Sequence, residues 1–239
     1  MKWAYGVSTV PSRRDGLLTR TLVSLRSAGF PEPRLFVDGH IDAILYVDQF
    51  GLETTAHYPK VGNFGNWVLG LTELYLRDPK ADRYAMFEDD VVLCRNVKEY
   101  LEACPFSNKG YINLYTVEDA VKQAPATPGW VLSTQGGRGA LGLVFDQESV
   151  KALLSSLRCV SHAEDRLRGH YLVDGAVVDS MERTGRKEWV HWPSLAQHTG
   201  TGGTTIENRL APTLQKFNEA PSFPGEDFDA MSLLIGGGK

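Results

Sequence analysis

Arg83-Tyr84-Ala85-Met86-Phe87-Glu88-Asp89-Asp90-Val91-Val92-Leu93 decides how this chain is read. Tyr84 to Phe87 is a short apolar run of the length of a buried strand, and it stops at three consecutive carboxylates. Val91 to Leu93 is apolar again. Three acidic side chains between two buried segments are costly unless something positive sits among them. Hard divalent cations fill that role, because Mg²⁺ and Mn²⁺ are held by one or two carboxylates together with substrate phosphates. In open α/β sheets ligands bind at the carboxyl ends of strands, which is where the triplet falls. An acidic surface turn is the competing reading, and the apolar runs on both sides weigh against it.

On the N-terminal side, Trp3 to Thr9 reads as a first strand closed by Val10-Pro11-Ser12. A loop with Arg13 and Arg14 leads into a helix from about Gly16 to Ala28, with Leu18, Leu22 and Leu25, joined by Thr21, on one stripe. Gly29, Pro31 and Pro33 stop it, and Leu35 to Val37 is a strand ending in Asp38-Gly39. This strand–helix–strand unit implies a parallel sheet with a right-handed crossover. Ala43 to Val47 reads as a further strand. Gly62-Asn63-Phe64-Gly65-Asn66 opens a long helix with Phe64, Trp67, Val68, Leu71 and Tyr75 on one face, and Asn63 or Asn66 is its N-cap candidate.

Beyond the triplet come a brief helix over Val97 to Ala103, a strand over Tyr111 to Tyr115 and an Ala/Pro/Gln loop. Trp130 to Ser133 is strand-like, and Gln135-Gly136-Gly137-Arg138-Gly139 follows without the spacing of a phosphate-binding loop. Gln147 to Leu157 and the segment from Val173 to about Gly185 read as helices, and Glu188 to His191 as a strand leading into Pro193-Ser194-Leu195-Ala196-Gln197-His198. The expected class is α/β, a Rossmann-like α/β/α sandwich around a mostly parallel sheet.

Bulk properties narrow the field. The chain has 239 residues, 42% of them hydrophobic and 23% charged, which fits one soluble α/β domain with a small appendage. A net charge of -4 gives no general attraction to a polyanion, so a nucleic-acid partner is not indicated. Cys94, Cys104 and Cys159 are odd in number and far apart, as free thiols in a reducing compartment would be. No signal-peptide core or membrane span is visible, and a cytoplasmic location is expected.

Four pieces, in order, resemble a known family: Thr9-Val10-Pro11-Ser12-Arg13 with Thr21-Leu22-Ser24-Leu25; Phe36-Val37-Asp38-Gly39; Phe87-Glu88-Asp89-Asp90-Val91; and Val173-Asp174 through Pro193-Ser194-Leu195-Ala196-Gln197-His198-Thr199-Gly200. The set is similar to nucleotide-sugar-dependent glycosyltransferases of the GT-A fold, in particular the N-acetylglucosaminyltransferases that carry Glu-Asp-Asp in place of Asp-X-Asp. The resemblance implies one GT-A catalytic domain over residues 1–200, with a nucleotide-binding half at about 1–93, an acceptor-side half at about 94–200, and a C-terminal extension over 201–239.

The resemblance also implies roles. Asp90 would hold a divalent cation, Mn²⁺ or Mg²⁺, that bridges the phosphates of a UDP-linked sugar donor, with His198 completing the shell; one imidazole with one carboxylate suits Mn²⁺ somewhat better. Glu88 and Asp89 would face the nucleoside or support Asp90. Pro11 and Arg13 would lie on the donor side, Asp38 on the base or ribose, and Asn63 either on the nucleotide or capping its helix. Asp174 is the preferred general base for an inverting transfer to an acceptor hydroxyl, with Asp179 and Asp165 as competitors. The second enzyme class in play is a sugar-phosphate nucleotidyltransferase, and the third reading is a non-catalytic carbohydrate-binding relative.

Overall fold

Along the strand that ends in the acidic triplet, successive side chains enter two different cores. Tyr84 and Met86 pack with Phe36, Phe64, Trp67 and Leu71, whereas Ala85 and Phe87 pack with Val7, Leu25, Leu35 and Val37. That alternation is the period-two signature of a strand buried on both faces. It makes the molecule a three-layer α/β/α sandwich, as expected. The computed structural model describes residues 1–40, 42–104, 110–117, 127–164, 173–200 and 220–235, with the side chains of 162–164 excepted.

The first half follows the βαβ logic. β1 (Trp3–Thr9), β2 (Arg34–Asp38), β3 (Thr54–His57) and β4 (Arg83–Glu88) lie in the order β3-β2-β1-β4, all parallel. Helix α1 (Thr19–Ser27) and helix α3 (Asn63–Arg77) make the crossovers on opposite faces. Gly6 and Gly70 let α3 lie flat on the sheet, since a Cβ at either would sit 2.5 or 2.6 Å from the Phe36 ring. The second half adds β8 (Gly142–Asp146), β6 (Gly110–Asn113), β9 (Lys187–Trp192) and β7 (Gly129–Leu132), in that order. Only β6–β9 is parallel among these additions.

Two assignments change. Ala43 to Val47 is not a strand: Ile44–Phe50 is a helix, α2, whose only buried residue is Tyr46. Asp42 accepts the Ile44 N–H at its start, and Gly51 ends it in the left-handed region at φ 68°. The third parallel strand is instead Thr54–His57. The helix read over Gln147 to Leu157 is also broken, into α5 (Gln147–Leu154) and α6 (Leu157–Glu164). Helix α4 (Val97–Ala103) and helix α7 (Val173–Arg183) stand where the sequence places them.

A two-stranded ladder completes what matters for the site. β5 (Val91–Leu93) pairs antiparallel with β10 (Ala196–His198), setting His198 opposite Val91. The other edge of β5 is held by α1, where Thr21 donates to the Val91 carbonyl at 2.9 Å and Ser24 accepts the Leu93 N–H at 2.8 Å. Residues 220–235 dock beside this ladder: Gln197 exchanges hydrogen bonds with the Ala220 backbone, and Arg95 bridges to Asp229. Among the described residues all three cysteines are free, and no helix is long and apolar enough to cross a membrane.

Candidate active site

Glu88 is the last residue of β4, and Asp89 and Asp90 form the turn into β5. The turn is fixed from four sides. Ser8 of β1 pairs with Glu88 in register, and the Glu88 N–H donates to the Leu141 carbonyl at 2.9 Å. On the far side the Thr199 N–H and hydroxyl both donate to the Asp90 carbonyl, at 2.8 and 2.9 Å. The β5–β10 ladder and α1 hold the rest.

Within the turn the two aspartates are treated differently. Asp89, 2% exposed, accepts the Thr9 hydroxyl on one oxygen at 2.6 Å and the Arg13 guanidinium on the other at 2.5 Å. Asp90, 1% exposed, has one oxygen 3.1 Å from the same Arg13 nitrogen and 3.3 Å from His198 Nε2. Its other oxygen, Oδ1, is buried and accepts no hydrogen bond among the described residues. Pro11 is exposed and starts the helical turns, Pro11 to Leu18, that carry Arg13.

Three carboxylates sharing one guanidinium titrate apart, as crowded acids do. Burial, with the charges of Asp90 and Asp174, pushes Glu88 well above the usual carboxylate range. Burial raises Asp89 to about 6 against the pull of Arg13. Asp90 is buried too, yet the His198 hydrogen bond and the charges of His198 and Arg13 hold it below the usual range. Asp90 is therefore the member most firmly held ionised, which is the state a cation ligand requires.

Asp174 lies in the first turn of α7 and reaches the glycine-rich loop. Its carboxylate accepts the Gly139 N–H at 3.0 Å and the Ala140 N–H at 3.3 Å. Burial raises its pKa, opposed by those two amides. Its charge also contributes to the rise at Glu88. Asp179 is on the solvent side of the same helix, paired with Arg158 at 2.7 Å and Arg183 at 3.3 Å. Asp165 lies outside the described residues.

Other predicted contacts are used inside the fold. Asp38, 1% exposed, accepts the N–H groups of Val61 and Gly62 at 2.7 and 3.0 Å, fixing the entry to α3. The cap of that helix is Gly62, not Asn63 or Asn66. Asn63 is exposed on the first turn, while Asn66 is buried and bonds Ser8, the Phe36 carbonyl and His57. Trp130 packs against His191 and Tyr100 and donates to Cys104 Sγ at 3.0 Å. Trp67 is in the core as read.

Sequence reasoning missed Glu188. It lies on β9, 5% exposed, and accepts from Asn113 Nδ2 at 3.0 Å, the Ser133 hydroxyl at 2.6 Å and the Gly137 N–H at 3.1 Å. Glu188 and Asp174 thus grip the two ends of the loop, and Gln135 bonds its middle through the Arg138 carbonyl at 2.8 Å. An acidic residue in a strand whose neighbours are buried was the available signal.

A scan against family models finds no match, and no curated protein matches the sequence. Solved structures do. A cytidylyltransferase from Leptospira borgpetersenii serovar Hardjo-bovis is similar at 11% identity, covering 98% of this chain and 93% of that one, with a TM-score of 0.50. Mannose-1-phosphate geranyltransferase from Thermus thermophilus gives 14% identity, 80% and 73% coverage and a TM-score of 0.47. GalNAc-T7, solved with UDP, GalNAc and Mn²⁺, gives 12% identity, 78% and 42% coverage and 0.47. At these identities the likeness is one of fold: a large mixed sheet of the Rossmann-like kind that nucleotidyltransferases and glycosyltransferases of the GT-A type share.

Proposed function

We propose that this chain is a divalent-cation-dependent glycosyltransferase that moves a sugar from a nucleotide-diphosphate donor, UDP-linked, to an acceptor hydroxyl. The observation that carries this is Oδ1 of Asp90, buried and unpartnered among the described residues and held beside His198 by the β5–β10 ladder. A buried carboxylate oxygen without a donor is expensive, and a cation answers it. One carboxylate and one imidazole are a fitting donor pair for Mn²⁺, with Mg²⁺ the harder alternative. Among the described residues no three ligating side chains converge, so the remaining donors on this reading are diphosphate oxygens. When bound, the cation supplies Lewis-acid stabilisation of the departing diphosphate. The match of Glu88-Asp89-Asp90 to the N-acetylglucosaminyltransferase pattern supports the same reading.

The residues of the chain then divide the work. Asp174 takes the proton of the acceptor hydroxyl as that oxygen bonds to the anomeric carbon from the face opposite the diphosphate. The bond from anomeric carbon to diphosphate oxygen breaks, and its electron pair leaves with the diphosphate. Each carboxylate oxygen has two lone pairs, so Asp174 accepts the Gly139 and Ala140 amides and still has room for a proton. The amides fix its orientation, and the α7 N-terminus favours its charge.

A sugar-phosphate nucleotidyltransferase is the second reading, favoured by the fold likeness to the Leptospira cytidylyltransferase over nearly the whole chain. Against it, the connection after β1 is a run of tight helical turns with Pro11 and only Gly16, not an open glycine-rich basic loop. The two are separated by products. With Mn²⁺ and a panel of UDP-sugars the first reading yields UDP and free or transferred sugar. The second yields pyrophosphate from a nucleoside triphosphate and a sugar phosphate, and no UDP from the UDP-sugars.

A further inference from the structure

We propose that Arg13 is a built-in counter-ion of the acidic turn, competing with a divalent cation for Asp90 and keeping cation affinity low until a diphosphate arrives. This rests on the cation reading of Asp90 and His198 given above. Arg13 is not a loose surface arginine: its side chain is 15% exposed. One nitrogen, Nη1, reaches Asp89 at 2.5 Å and Asp90 at 3.1 Å. Asp89 has both oxygens engaged, since Thr9 takes the second. Asp90 is left half used, with Arg13 and His198 both on Oδ2 and Oδ1 buried and unmatched.

A guanidinium does not give up its proton, so its charge cannot be switched off when a cation comes. A cation bound to Asp90 alone would share that carboxylate with a fixed like charge, and the repulsion lowers its affinity. A diphosphate brings enough negative charge to offset both. Linkage then makes the two ligands assist one another: nucleotide raises cation affinity, and cation raises nucleotide affinity by the same factor. Arg13 remains in the fold because Glu88, Asp89 and Asp90 would otherwise be adjacent in a buried turn with no permanent positive charge.

Mn²⁺ titrations of the full chain followed by electron paramagnetic resonance, with and without UDP, test this. The set is wild type, Arg13→Met, Arg13→Lys and the charge-balanced pair Arg13→Met with Asp89→Asn, which guards against a single variant that fails to fold. Without UDP, Arg13→Met and the charge-balanced pair should bind Mn²⁺ at least about tenfold more tightly than wild type, the ordinary size of such a linkage. Their gain from UDP should shrink by a similar factor, while Arg13→Lys, which keeps the charge, stays close to wild type. Unchanged or weaker Mn²⁺ binding in both Met variants, with wild type still binding Mn²⁺ beside UDP, overturns the role of Arg13 and leaves the cation site standing. Absence of Mn²⁺ binding in every protein, with and without UDP, overturns the cation site and the role of Arg13 with it.

Discussion

Two groups of buried and half-buried carboxylates lie in opposite halves of the sheet, and they are built on different terms. At the end of β4, Asp89 and Asp90 share one guanidinium whose charge also reaches Glu88, and an oxygen of Asp90 has no donor among the described residues. In the second half, Glu188 and Asp174 accept backbone amides from the glycine-rich loop, and Glu188 has three donors across its two oxygens. Among the described residues the first group leaves an acceptor unmatched, and the second is satisfied by the chain and shapes a loop. On the proposed function, the first is where a ligand binds and the second is what holds the fold. Asp174 belongs to both, since each of its oxygens accepts one amide and keeps a lone pair, and its charge acts on Glu88.

That double membership is the sharpest place to press. Asp174→Asn keeps one acceptor oxygen for the loop amides, sets an NH₂ against the other amide and cannot take a proton, so donor turnover should fall by about 10²–10⁴ with a smaller loss of melting temperature from the lost acceptor. Steady-state rates beside a melting curve decide it. A fall of less than threefold would leave Asp174 with the purely structural role of Glu188. Because burial raises its pKa, the remaining wild-type activity should also decline as the solution is acidified, as the base is protonated earlier than an ordinary aspartate.

The loop is the next target. Gly139 has φ 78°, and a Cβ there would lie 2.1 Å from the Tyr115 ring, whereas Gly136 has φ 62° with nothing within 4 Å. Urea unfolding should show Gly139→Ala destabilised by about 3 kcal/mol or more, from strain and overpacking together. Gly136→Ala, with strain alone, should cost about 1 kcal/mol. Equal costs would mean that the close approach to Tyr115 is not what fixes the loop.

A separate effect lies away from both groups. His191 is fully buried, with Tyr100 hydroxyl 2.7 Å from Nε2 and the Pro193 carbonyl 2.7 Å from Nδ1. Burial lowers its pKa from 6.5 to about 4, against the pull of that carbonyl. Above pH 6.5 neither state takes the proton; below it the unfolded chain does and the native one does not, so stability drains away until the pH nears 4. Between pH 7 and pH 5 this amounts to about 2 kcal/mol. His191→Gln should lose correspondingly less over that interval, because Glu88, Asp174 and Glu188, whose raised values act in the opposite sense, are common to both proteins. Parallel losses in the two proteins would remove His191 from the account.

Much of the fold was legible because burial writes itself into the sequence. The apolar runs of β1, β2, β4 and β9 and the stripes of α1 and α3 are local patterns with local causes. Thr54–His57 was missed because a strand at the sheet edge, half-buried throughout, has no such run. Ile44 to Val47 misled because β-branched and aromatic residues favour strands, although Asp42 and Gly51 mark the two ends of a helix. The acidic turn and His198 were recognised by motif order, yet their meeting depends on a ladder closed across about a hundred residues, which no local pattern announces. The second grip on the loop, Glu188 on Gly137, is a side-chain-to-backbone bond 51 residues apart and left no periodic trace.

The central claim is that Asp90 points at a captured cation that the nucleotide shares. Thermal melting of wild type and Asp90→Ala with UDP, with Mn²⁺ and with both tests it most directly, because a ligand selective for the native state raises its melting point. The account predicts that UDP and Mn²⁺ together stabilise wild type by more than the sum of either alone, and that Asp90→Ala abolishes the excess. An additive response in wild type, or an excess that survives in Asp90→Ala, contradicts it.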